Sequence, residues 1–441
     1  MRDFRIIDAA NDFLGSLIVE NGIIKKIITD TDHIPDADIT IDGRSFAPST
    51  VIMPAFVDLH AHFREPGFPE KETSLPMEAP LPAETLESAA LAAAAGGYTT
   101  VVCMANTKPV TDTIEKARAL KIRSDALSLI DLYPVLSLTK NMEGRELSGI
   151  KDLPAAEVLM LSEDGKDVAD DSLFLAAMGE AKRLGIPVSC HCDFGGTEAE
   201  AAKKAGRLRA EWSRIEENNA VRRAIELGKK AGCHIHIAHV STKEAAEYIR
   251  ITKKNLSADT GFFLTCEATP HHIGAAEDDT RRMGDESFGR VNPPLRSEAD
   301  RQAIIAAIHD GTIDAVATDH APHSEADKAA GAPGFSGLET AFAVCLSQLT
   351  PEAAPNKALQ RLSALMSAHP ARILGLRDRG GITTGLRADI VIADIQAQWK
   401  AEPAQFKSRG KCSPFAGKEL RGKIIMTLNA GKIVFAGDKV V

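Results

Sequence analysis

Through the middle of the chain, short apolar runs alternate with longer amphipathic stretches. Eight such runs fall at 51–63, 98–104, 132–138, 157–162, 187–192, 234–240, 263–270 and 315–322. Between most of them apolar residues recur with the period of a helix, as at 83–95, 171–184, 212–231 and 242–253. Eight strand-then-helix units predict an α/β fold, a (β/α)8 TIM barrel carrying insertions. A doubly wound open sheet would carry a glycine-rich phosphate turn after an early strand. Here Gly96-Gly97 precede the strand at 98–104 and read as a helix stop. The two ends of the chain have a different pattern. Residues 16–20 and 23–28 flank Asn21-Gly22, a strong hairpin signal, and 388–393, 423–428 and 432–435 mirror them around Asn429-Ala430-Gly431. Each end is too short to bury a core alone, so both are expected to build one small β-sandwich domain. The expected division is 1–52 and 377–441 for that domain, with 53–376 for the barrel.

Composition narrows the classes. Of 441 residues, 44% are hydrophobic and 26% charged, ordinary globular usage that excludes a disordered or fibrous chain. Asp and Glu number 61 against 52 Lys and Arg, a net charge of −9. That balance speaks against nucleic acid or an anionic membrane as a partner. Seven cysteines, an odd number and mostly in apolar runs, read as reduced buried thiols. With no signal-peptide pattern behind Met1 and no run as long as a membrane span, a cytoplasmic protein is expected.

In a parallel barrel the site forms at the C-terminal ends of the strands. The unusual residues of this sequence sit there: Asp58, His60, His62 and Arg64; Glu163-Asp164; His191; His239; Asp319 and His323. His60, His62 and Arg64 share a strand face by alternation. Imidazoles aimed into a barrel mouth are costly without a partner, and a divalent metal is a common one. His60, His62, Asp164, His191, His239 and Asp319 together offer enough ligands for two ions. The same alternation turns His234 and His236 away from His239 toward the helices. It sends Cys190 and Cys192 away from His191, and points Glu163 outward. Surface placement is open for His271-His272.

At this point the chain resembles the type I dihydroorotases of the amidohydrolase superfamily. The resemblance rests on Asp58-Leu59-His60-Ala61-His62-Phe63-Arg64-Glu65-Pro66-Gly67, Lys71-Glu72-Thr73, Gly96-Gly97-Tyr98-Thr99-Thr100 and Ala105-Asn106-Thr107. It continues through His239-Val240-Ser241-Thr242, Arg290-Val291-Asn292-Pro293-Pro294, Thr318-Asp319-His320-Ala321-Pro322-His323, Gly337-Leu338-Glu339-Thr340 and Ser413-Pro414-Phe415-Ala416-Gly417. Nearly the whole chain is covered.

The resemblance implies zinc, one or two ions per chain with two favoured. His60, His62 and Asp319 would hold one, His191 and His239 the other, and Asp164 would join both. No bridging lysine is expected, since Asp164 stands on strand 4 and Lys166 falls past the turn. The implied reaction is the reversible cyclisation of N-carbamoyl-L-aspartate to L-dihydroorotate in pyrimidine biosynthesis, with Asp319 carrying the proton. His62, Arg64, Asn106, Asn292, His323, Pro333 and Gly334 would bind the substrate, Arg64 taking its carboxylate. A homodimer and a complex with aspartate transcarbamoylase are further implications. The alternatives are a hydantoinase- or allantoinase-like cyclic amidase, and a non-catalytic homologue serving as a scaffold for aspartate transcarbamoylase. The sequence departs from the family at Ala105, where proline is usual, at Asp193, where glutamate is usual, and in the loop 324–335.

Overall fold

The computed structural model of the chain describes residues 1–29, 37–66, 83–154, 157–193, 201–206, 209–257, 261–281, 283, 287–350, 355–437 and 439–440. The motif residues Gly67 and Lys71-Glu72-Thr73 lie outside them.

Each apolar run of the middle region contains a strand. In order they are β5 (Phe56–Ala61), β6 (Tyr98–Cys103), β7 (Asp131–Pro134), β8 (Leu161–Ser162), β9 (Val188–Cys190), β10 (His234–Ile237), β11 (Phe263–Ala268) and β12 (Ala315–Val316). They pair in parallel as two arcs, β5-β6-β7 and β8-β9-β10-β11-β12. Single parallel bridges join the arcs, Leu136 to Leu161 and Ala61 to His320. At these seams Ser162 N–H donates to Leu136 O at 3.1 Å and His62 N–H to His320 O at 2.8 Å. The strands therefore follow chain order around a ring with two narrow seams. The seam between β12 and β5 is one bridge wide because Asp319, at φ 43°, interrupts the extended backbone there.

Helices return the chain between strands. Thr85 caps α1 (Leu86–Ala95) in a reciprocal pair with Ser88, and Thr113 caps α2 (Ile114–Leu127). The next are α3 (Asp171–Leu184), α4 (Arg209–Ala231) and α5 (Lys243–Lys254). The small face of α1, Ala89, Ala90, Ala92 and Ala93, lets the helix sit close to Phe56 and Tyr98 in the main core. Among the described residues no helix is long and apolar enough to cross a membrane. All seven cysteines are buried and unpaired, as expected.

The chain ends meet in one mixed sheet. β1 (Phe4–Ile7), β2 (Asp12–Glu20), β3 (Ile23–Ile28) and β4 (Thr50–Pro54) join β13 (Ile390–Lys400), β14 (Glu419–Asn429), β15 (Lys432–Ala436) and β16 (Lys439–Val440) in the order β16-β15-β14-β13-β4-β1-β2-β3. The hydrogen bonding runs continuously through all eight strands. It curls until the turn at Gly22 meets the turn at Ala430. Gly22 sits at φ 78°, and a Cβ there would lie 2.9 Å from Ala430 O. Gly22→Ala is expected to cost about 1–3 kcal/mol, read as a lower denaturant midpoint at unchanged slope. The apolar run 51–63, expected to open the barrel, is divided at Ala55. Its first half, β4, pairs with β13 in the terminal sheet, and only the second half enters the ring.

Candidate active site

The rim of the ring gathers the expected polar residues. β5 is tied to the segment after β12 by Asp58, whose carboxylate accepts from Thr318 N–H at 2.9 Å and Thr318 Oγ1–H at 2.5 Å. Burial pushes the Asp58 carboxyl up to about 7. This tie sets Asp319 beside β5. His62 Nε2 is 3.2 Å from Asp319 Oδ1 and 3.5 Å from Asp164 Oδ2. His60 Nε2 is 3.1 Å from Asp164 Oδ1 and 3.6 Å from Asp319 Oδ1. His191 Nδ1 is 3.1 Å from Asp164 Oδ1 and 2.9 Å from His239 Nε2. The His239 ring centroid lies 5.2 Å from that of His60. All six residues proposed as ligands from the sequence thus sit in one buried cluster.

Two triplets, His60–Asp164–His239 and His60–His62–Asp319, bring ligand atoms within 4.8 Å of one another. Burial works against both aspartates, yet the surrounding imidazoles hold Asp164 and Asp319 well below the usual carboxylate range. Burial, reinforced by His191 and His60, drops His239 to about 3, so its ring is neutral. His60 Nδ1 faces the Glu267 carboxylate at 3.0 Å, an acceptor, so Nδ1–H points there and Nε2 is aimed into the cluster. His60 Nε2 and His239 Nδ1 are both buried without a hydrogen-bond partner. Leaving such atoms unpaired costs about 1–3 kcal/mol each. Ionised carboxylates and orphaned imidazole nitrogens converging on one point fit a divalent cation.

The backbone is strained where these side chains leave it. Arg64, Cys192, His239 and Asp319 adopt φ of 60°, 59°, 32° and 43°. Non-glycine residues rarely do so, and such outliers cluster at functional sites. The strain also explains where alternation misleads. His236 was expected to turn toward the helices. It is fully buried beside the His/Asp cluster, with Nε2 3.0 Å from Glu267 Oε2, the carboxylate whose other oxygen holds His60. The turn at His239 brings the next histidine to the same side. One further expectation fails similarly, and one open placement is settled. Glu163 is buried, accepting from Leu138 N–H at 2.9 Å and Thr139 N–H at 3.0 Å. His271 and His272 are buried as well, His272 Nε2 lying 3.2 Å from Pro293 O.

The expected substrate contacts gather around the cluster. Arg64 Nε donates to Pro322 O at 3.2 Å, and its Nη2 is 3.1 Å from His323 Nε2. Burial holds His323 near 3 and therefore neutral. Among the described residues no carboxylate lies within ion-pair distance of Arg64; Glu65 instead pairs with Arg123. Asn106 spans two members of the cluster, its Oδ1 accepting from His62 Nδ1–H at 2.9 Å and its Nδ2 donating to Asp164 at 2.9 Å. Asn292, which accepts from Arg209, lines a cavity of about 230 Å³ with His191, Trp212 and Arg296. Pro333 O lies 2.9 Å from His323 Nε2, and Gly334 is pressed against Ala321.

Sequence reasoning missed Glu267. The only signal was an acid inside the apolar run 263–270. Burial would raise its pKa, but His236 and His60 hold it at about 2. Sequence reasoning also missed Glu217 and Arg296, a buried pair at 3.0 Å. Glu217 takes the Ser241 and Thr242 N–H groups at 2.8 and 3.0 Å, fixing the turn after His239. Glu267→Gln is expected to weaken binding of a divalent metal at this cluster about tenfold, measured by chelator competition on folded protein.

Comparison with known proteins places the chain in a family. The model of the Amidohydrolase family matches residues 51–434. A dihydroorotase of Clostridium botulinum (strain Eklund 17B / Type B) is 37% identical over 99% of this chain and 98% of its own length. Dihydroorotases of Anaeromyxobacter dehalogenans and Staphylococcus epidermidis are each 35% identical, covering 99% and 96% of this chain and 97% and 98% of their own. Among solved structures, L-hydantoinase (dihydropyrimidinase) from Arthrobacter aurescens superposes with a TM-score of 0.81 at 25% identity, covering 100% of this chain and 96% of its own. Dihydropyrimidinase from Brevibacillus agri NCHU1002 gives 0.81 at 19%, a likeness of fold. With a family match over most of its length and full-length relatives above 30% identity, the chain belongs to the amidohydrolase family and, within it, to the dihydroorotases.

Proposed function

We propose that the protein is a zinc-dependent dihydroorotase, interconverting N-carbamoyl-L-aspartate and L-dihydroorotate in pyrimidine biosynthesis. The observation that carries this reading within the family is Arg64. A partly buried guanidinium with no acidic partner among the described residues stands beside the His/Asp cluster. A ring substrate bearing a carboxylate completes that arrangement; a hydantoin or allantoin, lacking it, does not.

His60, His62 and Asp319 would hold one zinc, His191 and His239 a second, with Asp164 shared. Bound there, zinc would make water acidic enough to act near neutral pH and would polarise the amide carbonyl. The remaining steps belong to the chain. Arg64, with neutral His323 beside it, takes the substrate carboxylate and fixes the ring. Asp319, ionised, accepts the proton of the attacking water and returns it to the ring nitrogen as the C–N bond breaks. In the cyclising direction the ureido nitrogen gives its proton to Asp319 as it attacks the protonated side-chain carboxyl, and Asp319 passes that proton to the departing hydroxyl, which leaves as water. Asn106 keeps His62 and Asp164 in register.

Purified chain should carry about two zinc ions and cyclise carbamoyl-aspartate. Faster opening of hydantoin than of dihydroorotate would overturn the substrate assignment. Less than about one zinc with no turnover in either direction would favour the scaffold alternative. Sizing alone and with aspartate transcarbamoylase would test the proposed homodimer and complex.

A further inference from the structure

Lys328 is among the largest side chains fully excluded from solvent, 1% exposed. Burying an ammonium costs several kcal/mol unless it is paired, and among the described residues no carboxylate lies within ion-pair distance of it. Its three hydrogens go instead to three backbone carbonyls: Arg290 O at 2.8 Å, Ala332 O at 2.9 Å and Gly334 O at 3.0 Å. The Phe335 ring lies 5.3 Å from Nζ. The lysine lies in the last turn of a short helix, Glu325–Ala329, whose start is fixed by the Ser324–Asp327 capping pair.

These carbonyls come from two separate loops. Arg290 precedes Asn292 in the loop after β11. Ala332 and Gly334 bracket Pro333 in the loop after β12. Arg290 O also accepts from Gly334 N–H at 3.0 Å, so the two loops meet at the ammonium. From Pro333 O the contacts continue to His323 Nε2 at 2.9 Å and on to Arg64 at 3.1 Å. Nε2 can donate to Pro333 O or accept from Arg64, but not both at once. The position of Pro333 O therefore bears directly on how Arg64 is held.

We propose that Lys328 is a positioning residue for the carboxylate end of the substrate: its ammonium locks the loops bearing Asn292 and Pro333–Gly334 against His323 and Arg64. This rests on the dihydroorotase reading above. The lysine touches neither the His/Asp cluster nor the reacting bond. Its loss should therefore loosen carboxylate recognition and leave the metal centre and the chemical step in place.

The test uses the full-length, zinc-loaded chain. Lys328→Met keeps the stem and removes charge and donors. The expected result is a KM for carbamoyl-aspartate raised about five- to tenfold, with kcat within about threefold of the parent and zinc content unchanged. The inhibition constant of orotate, a ring carrying the same carboxylate, should rise in parallel, while that of uracil, which lacks it, should stay put. If the Met variant does not fold by circular dichroism, Lys328→Gln, which keeps two N–H donors, should show a smaller shift of the same kind. A folded variant with a KM and an orotate constant within twofold of the parent overturns the proposal, as does equal weakening of orotate and uracil. A parent chain with no cyclising activity would overturn the functional reading instead.

Discussion

Replacing Asp319 by Asn is expected to lower kcat in both directions by about a thousandfold or more while the chain stays folded. The reasoning is local. The carboxylate lies 3.2 Å from His62 Nε2 and 3.6 Å from His60 Nε2, and those imidazoles keep it ionised against the pull of burial. An amide in its place has the same shape but no basic lone pair, so it cannot take a proton from water or from the ureido nitrogen. Its residue sits at φ 43°, a conformation that asparagine adopts more readily than most, so the backbone should tolerate the change. Steady-state kinetics in both directions with metal analysis on the same sample checks this. A variant with near-parental kcat and full metal content would remove Asp319 from the proton path. A variant that has lost its metal would show that the carboxylate mattered first as a ligand, and Asp319→Glu, which keeps the charge, would then separate the two roles.

How much of this was legible in the sequence depends on the range over which the deciding physics acts. The barrel strands were legible because parallel strands buried on both faces read as apolar runs, and each of the eight runs holds one. His60, His62, Asp164, His191, His239 and Asp319 were legible because polar residues at the ends of such runs stand out against valine and isoleucine. Local pattern failed where a backbone outlier or a distant partner decides. Alternation carried past the end of β10 misplaced His236, because His239 leaves the strand at φ 32°. Glu163 gave no local hint that its carboxylate would close onto the backbone of Leu138 and Thr139, 25 and 24 residues away. Glu267 reads as an interruption of a strand until His60 and His236 are seen on its two oxygens, 207 and 31 residues off in sequence. The break at Ala55 was invisible for the opposite reason. β4 and β5 are both apolar and buried, and only pairing with β13 or β6 tells which sheet each joins.

The strain and the buried polar groups form one arrangement. Three of the rim residues at positive φ, Arg64, His239 and Asp319, follow directly on ring strands or their seams. A buried carboxylate braces the backbone at two of these exits. Asp58 holds Thr318 before Asp319, and Glu217 holds Ser241 and Thr242 after His239. Asp58 spends its acceptors on backbone and hydroxyl groups, Glu217 on the same kinds of group and on the Arg296 guanidinium, and both leave the rim side chains free to converge. Removing a brace should therefore act on the site through geometry, where removing a rim residue acts on the chemistry itself.

Arg64→Ala is the sharper test of the substrate assignment. Charge-assisted hydrogen bonds to a carboxylate are worth about 1.5–3 kcal/mol, which predicts a fall in kcat/KM for carbamoyl-aspartate of about 10- to 100-fold. Most of that fall should sit in KM, because in the proposed binding mode the guanidinium would face the carboxylate and not the amide that reacts. The Arg64 contacts to Pro322 O and His323 are lost in the same variant, so some loosening of the loop after β12 is expected with it. Arg64→Lys separates the two causes. Lysine restores a positive charge but not the planar fork, so it should recover part of the carboxylate affinity and none of the paired geometry. Hydantoin opening, if any is measurable, should be unaffected in both variants, since that ring offers no carboxylate to lose. A KM unchanged in Arg64→Ala would move the carboxylate to another cation of the rim, and Arg209, which donates to Asn292 in the neighbouring cavity, would be the first to examine.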